Sequence, residues 1–149
     1  MGQLSDLLGK RVYLDTNIII YAVEGHETYA APIKALLRAL TDGEIVAVTS
    51  ELTVAEVLVK PKRDKNTKLE EAYQRFLRPT ESLHTSPVTR EILEAASDIR
   101  ANTTLKLPDA IHVATAIGEQ CDSFLTNDVR FTTATGLSIM LLSQLTVTE

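Results

Sequence analysis

Cysteine occurs once, at Cys121, in a chain of 149 residues. A lone thiol excludes an internal disulfide framework and suits a reducing compartment. Tryptophan is absent and aromatic residues make up only 5% of the chain, so the stacked Phe/Tyr platform of an RNA-reading sheet is not expected. Long apolar runs are missing as well. The longest, Ile18 to Val23, falls far short of the roughly 18 residues a membrane helix needs. The amino-terminal MGQLSDLLGK has neither the cationic start nor the apolar stretch of a signal peptide, and Asp6 breaks the myristoylation pattern. An excess of positive charge is also lacking: Lys and Arg number 15 against 20 Asp and Glu, a net charge of −5. That sign argues against a simple basic duplex-binding module. With 44% hydrophobic residues and mixed charge, the chain is not disordered. What these absences leave is a cytoplasmic globular protein, expected to be one domain over 1–149 with no membrane association.

What is present is an alternation of short β-rich runs with longer helical patterns, without an internal repeat or a linker. Strands are expected at Arg11–Leu14, Ile45–Thr49, Glu81–Thr85, Ser123–Thr126 and Ser138–Leu142. Helices are expected at Thr16–Glu24, Thr28–Thr41, Ser50–Lys60, Lys65–Leu77, Pro87–Asn102 and Pro108–Glu119. Pro87 and Pro108 each fit a first helical turn, with Ser86 as a cap for the former. Gly43 follows the second helix, and Pro61 is expected to stop the third. The rhythm predicts a three-layer α/β domain with a mainly parallel sheet. In such sheets ligands bind outside the carboxyl ends of the strands.

Two acids fall at that edge. Asp15 follows the first strand and Asp128 the fourth; taken singly, one reads as a helix N-cap and the other as a turn residue. Glu56 interrupts the apolar stretch Val54–Val59 of the third helix, where a carboxylate must be paired, protonated or bound to a cation. Asp109 opens the apolar helix LPDAIHVATA, a place the helix dipole favours in any case. His112, one turn on, reads alone as a hydrogen-bonded packing residue. Together the four carboxylates would converge with no Lys or Arg in the same short motifs to neutralise them. Two unit charges about 4 Å apart repel by about 4 kcal/mol at an effective dielectric near 20. Divalent cations relieve such crowding, and all-oxygen donors suit Mg²⁺ or Mn²⁺. Acid clusters of this kind serve metal-dependent phosphodiester hydrolysis.

The segments LDTN, VAEVLVKP, LPDAIHVATA and FLTNDVRF, in this order and spacing, resemble the PIN-domain ribonucleases. They look most like the VapC-type toxin of a toxin–antitoxin pair, over about Val12 to Leu142. The resemblance implies that Asp15, Glu56, Asp109 and Asp128 are the catalytic, metal-binding acids, with Thr126 an accessory polar residue and Asn17 and Asn127 supporting it. It further implies a five-stranded sheet of order 3-2-1-4-5, cleavage of single-stranded RNA, a homodimer and a small antitoxin partner. The leader Met1 to Lys10 departs from the pattern and bears on an interface rather than on catalysis.

For RNA contact, the densest basic stretch runs from Lys60 to Lys68 and supplies Lys62, Arg63 and Lys65, with Arg130 beside Asp128 as a second candidate. A haloacid-dehalogenase-type phosphatase would need an acid where Asn17 stands. A receiver domain would need an Asp ending its third strand and a Lys after its fifth, which Leu83-His84-Thr85 and Ser143-Gln144 do not supply. The remaining alternatives are a PIN-like module that binds RNA or protein without turnover, and a housekeeping RNA-processing nuclease.

Overall fold

A computed structural model of the chain describes residues 2–133 and 136–147. In the first strand, β1 (Arg11–Leu14), the two-residue period sends Val12 and Leu14 into one apolar cluster and Tyr13 into another. Both faces of β1 are therefore covered, as befits the middle strand of a parallel sheet. The remaining strands are β2 (Val46–Ser50), β3 (Leu83–Ser86), β4 (Ser123–Thr126) and β5 (Ser138–Leu141), and the sheet order is β3-β2-β1-β4-β5, parallel throughout. The expected α/β architecture and strand order are thus the ones observed.

Among the described residues, six α-helices connect the strands: α1 (Thr16–Glu24), α2 (Ala30–Thr41), α3 (Glu51–Arg63), α4 (Thr67–Phe76), α5 (Arg90–Asn102) and α6 (Leu107–Gly118). The larger core packs α1 to α4 against β1 and β2 through Ile18, Leu36, Val57 and Tyr73. On the Tyr13 side, Phe124 stacks on the Tyr13 ring with centroids 5.0 Å apart, and Phe131 packs on Phe124 at 4.8 Å. Small residues Ala96, Ala110 and Ala114 let α5 and α6 approach closely. Every residue of α6 from Ala110 to Thr115 is buried, so the one histidine among them, His112, has to be satisfied inside the protein.

Two boundaries correct the sequence reading. Pro61 does not stop the third helix; α3 continues to Arg63 with Pro61 inside its last turn. The proline forfeits one backbone hydrogen bond, but its ring is buried and the helix ends within a turn, which limits the cost. Nor do Ser86 and Pro87 start the fifth helix. Ser86 is paired with Ser50 in the sheet and its hydroxyl donates to Glu119 Oε1 at 2.9 Å, so Thr89 caps α5 instead, accepting from the Ile92 N–H. The leader is part of the packing: Leu7 is fully buried, and Gln3 pairs with Thr146 of the carboxyl-terminal segment. Among the described residues, no helix is long and apolar enough to cross a membrane.

Candidate active site

The carboxyl ends of β1 and β4 lie side by side, with Leu14 opposite Leu125, and each is followed by an acid. Asp15 leaves β1 and caps α1, its Oδ1 accepting the Thr16 N–H at 2.9 Å. Its Oδ2 accepts the Thr126 hydroxyl at 2.6 Å and the Asn17 side-chain amide at 3.2 Å. Capping α1 and tying the ends of β1 and β4 therefore coincide in one side chain. Asp15 is only 5% exposed. Burial raises its pKa, opposed by His112, the Thr126 hydroxyl and the Thr16 amide, while the charge of Asp109 adds to the rise.

Thr126, the last residue of β4, also accepts the Asp128 N–H at 3.1 Å, which fixes the turn carrying Asp128. Asn17 joins the two strand ends a second time, since its Oδ1 accepts the Asn127 N–H at 3.3 Å. Asn127 thus takes part through its backbone, while its own side chain accepts from the Ser143 N–H at 3.1 Å. Glu56 reaches in from α3. Its Oε1 accepts the Thr16 hydroxyl at 2.8 Å and lies 2.7 Å from His112 Nε2. Burial alone would raise the Glu56 pKa, but His112 and the Thr16 hydroxyl outweigh it and the net shift is downward.

Asp109 stands in the first turn of α6. Desolvation raises its pKa; Arg130 works against the rise, while Asp128 and Glu56 add to it. Short contacts link the four acids: Thr126 joins Asp15 to the Asp128 turn, Thr16 joins Asp15 to Glu56, and Arg130 spans Asp109 and Asp128. No Lys or Arg was expected within the short motifs to neutralise these acids, but Arg130, the basic candidate expected beside Asp128, does so. Arg130 Nη2 lies 2.5 Å from Asp128 Oδ2 and 3.4 Å from Asp109 Oδ2, and the hydrogen bonds from Arg130 hold the Asp128 carboxyl below its ordinary pKa. The reason is local: Asp128 accepts the Arg130 backbone N–H at 2.9 Å, a turn that folds the guanidinium back over the carboxylate.

Among the described residues, no three Asp, Glu, His or Cys side chains form a ready-made metal cluster. The donor chemistry nonetheless fits a hard divalent cation: four carboxylates, one of them buried, and a positive charge already drawn between Asp109 and Asp128. Of the four basic candidates, Arg130 alone contacts these acids. Lys62 pairs with Glu70 at 3.0 Å; Lys62 and Arg63 lie in the last turn of α3 and Lys65 just past it, all exposed.

His112 is the buried, hydrogen-bonded histidine expected, but sequence reasoning missed the polar layer it joins beneath the acids: Tyr13, Thr16, Thr49 and Thr53. One signal was available, because Asp109 and His112 are three apart and share a helix face. Burial hides the rest, since the threonines sit in segments that read as strand and helix.

The PIN domain family model matches residues 12–137. Among solved structures, a toxin–antitoxin complex from Klebsiella pneumoniae is 25% identical, covering 88% of this chain and 97% of that one, with a TM-score of 0.66. VapBC2 from Rickettsia felis, bound to a DNA fragment from its promoter, is 18% identical over 88% of this chain and 98% of that one, with a TM-score of 0.69. Mycobacterium tuberculosis VapC20, described as a sarcin–ricin-loop-cleaving toxin, is 17% identical over 83% and 95%, with a TM-score of 0.65. A search of curated protein sequences gave no match. Since the family model spans most of the sequence, from β1 to the start of β5, the chain belongs to the PIN domain family.

Proposed function

We propose that this protein is a metal-dependent endoribonuclease that cleaves single-stranded RNA as the toxin of a toxin–antitoxin pair. The observation that carries the reading is the set of contacts that links Asp15, Glu56, Asp109 and Asp128 beside the carboxyl ends of β1 and β4 in a PIN sheet. These four would hold Mg²⁺ or Mn²⁺, which when bound supplies water activation and charge stabilisation at the phosphodiester. The chain's own contribution is preorganisation. Thr126, Asn17 and the Thr16 amide orient the buried Asp15 carboxylate, and Thr16 with His112 keeps Glu56 ionised. Arg130 is placed to meet a phosphate beside Asp128, and Lys62, Arg63 and Lys65 extend the phosphate track away from the acids.

The likeness to the Klebsiella pneumoniae complex and to VapBC2 supports an antitoxin partner, and the likeness to VapC20 supports RNA as substrate. A homodimer acting in the cytoplasm completes the proposal. The pairing of Arg130 with two of the acids favours one second reading, an RNA-binding module without turnover.

Incubation of single-stranded RNA with the wild type and with Asp109→Asn, in Mg²⁺ or Mn²⁺ and in excess EDTA, tests the proposal. Cleavage by the wild type that is lost in EDTA and in the variant is expected. Undiminished cleavage in EDTA would remove the metal mechanism, and RNA binding without cleavage would establish the second reading.

A further inference from the structure

His112 is 1% exposed, yet both of its ring nitrogens have partners. Nδ1 lies 2.6 Å from the Tyr13 hydroxyl; Nε2 lies 2.7 Å from Glu56 Oε1 and 3.2 Å from Thr16 Oγ1. Tyr13 is itself buried, its ring stacked on Phe124. A phenol ionises only near pH 10, so at neutral pH Tyr13 carries a proton to place in the 2.6 Å contact. With that proton given to Nδ1, the imidazole carries its own on Nε2 and aims it at Glu56.

Three threonine hydroxyls, of Thr16, Thr53 and Thr49, lie below. Thr49 donates to the Leu14 carbonyl at 2.9 Å, so in the 3.0 Å contact between Thr49 and Thr53 it is Thr53 that donates. Thr16 Oγ1 donates its own proton to Glu56 Oε1, so the single Thr53 proton serves both Thr49 and Thr16, each 3.0 Å away. Oε1 therefore receives two donors. Among the described residues, Oε2 receives none.

We propose that His112 is a positioning residue for Glu56: with its tautomer set by Tyr13, it fixes Oε1 of the carboxylate and leaves Oε2 for the divalent cation. The inference rests on the reading of Glu56 as a cation-holding acid. A packing histidine would fill the same space, but it would not require a particular tautomer or influence cation affinity. Groups that support a ligating side chain typically change metal affinity 10- to 100-fold when removed, roughly the scale expected here.

Two measurements test this. Long-range ¹⁵N–¹H correlation spectra of the metal-free wild type should show the Nε2–H tautomer of His112. Calorimetric titration with Mn²⁺ should show about 10- to 100-fold weaker binding for His112→Leu, which fills the space without a donor, and for Tyr13→Phe, which keeps the aromatic stack. His112→Gln, which restores an N–H toward Glu56, should retain most of the affinity. Melting curves confirm which variants are folded, and the wild-type tautomer decides the matter even if all three unfold. An Nδ1–H tautomer, or wild-type Mn²⁺ affinity in folded His112→Leu, would overturn this inference and leave the nuclease reading standing. A wild type that binds no Mn²⁺ would overturn both.

Discussion

The Thr126 hydroxyl donates to Asp15 Oδ2 at 2.6 Å, tying the carboxyl ends of β4 and β1 through residues 111 positions apart. The same oxygen accepts the Asp128 N–H, so one hydroxyl orients two of the four acids. Thr126→Val preserves shape but removes both functions. It should destabilise the protein by about 1–3 kcal/mol, because a buried carboxylate loses a donor and an amide loses its acceptor. Thr126→Ser should retain most of the stability. Urea titrations of the three proteins check this; equal midpoints for wild type and Thr126→Val would contradict it.

Arg130 supplies the second expectation. Its guanidinium lies against Asp128 and Asp109, the acids proposed to hold the cation, so the two positive charges compete for the same oxygens. Arg130→Ala should therefore bind Mn²⁺ several-fold more tightly in calorimetry. Weaker binding would mean that Arg130 assists cation binding instead of opposing it.

Much of this arrangement was legible in the residues. Strand–helix alternation specifies a parallel sheet, and a parallel sheet specifies which edge binds ligands, so Asp15 and Asp128 could be placed together from local patterns alone. Glu56 and Asp109 were legible because each is an acid in an otherwise apolar helix. Rotamers and long-range pairing were not. Arg130 is two residues from Asp128, but spacing does not tell whether its side chain turns back or outward. His112 looked like core because it is core, and its role depends on Tyr13, which is 99 positions away. The Ser86–Pro87 pair carried a valid helix-start signal that lost to sheet pairing and to Glu119.

The basic stretch yields a measurement in salt. If Lys62, Arg63 and Lys65 contact phosphates, replacing all three by Ala should flatten the dependence of RNA affinity on salt. Each lost contact with a single strand removes about 0.7 from the log–log slope. Lys62 already pairs with Glu70, so the total change should fall short of three full contacts. An unchanged slope would assign the stretch to solvent.

Glu119 offers a pH test away from the acids. Burial raises its pKa, but the Ser86 hydroxyl, Arg11 and His84 more than offset this and lower it overall. A carboxylate with a lowered native pKa contributes stability above its unfolded pKa and loses it as pH falls through the native value. Glu119→Gln should therefore be less stable than wild type at pH 7, and the gap should close in acid below the usual carboxylate range. A gap that is constant with pH would mean that packing, not charge, is the cause.

If the four acids share one site built for a cation, the metal-free protein folds against their mutual repulsion, and Asp109 reports it. Its pKa is raised, so the charged form opposes folding: the stabilising contribution exists at low pH and is lost as pH rises through the native pKa. Melting curves of wild type and Asp109→Asn, at neutral pH with and without Mn²⁺, provide the measurement. Without metal the variant should be the more stable protein, by about 1 kcal/mol after allowance for solvent screening. Added Mn²⁺ should stabilise the wild type more than the variant, because a ligand that binds only the native state raises its apparent stability. An Asp109 that merely served the helix dipole would give the opposite pattern, and a lower, metal-independent midpoint for Asp109→Asn would contradict the convergent site.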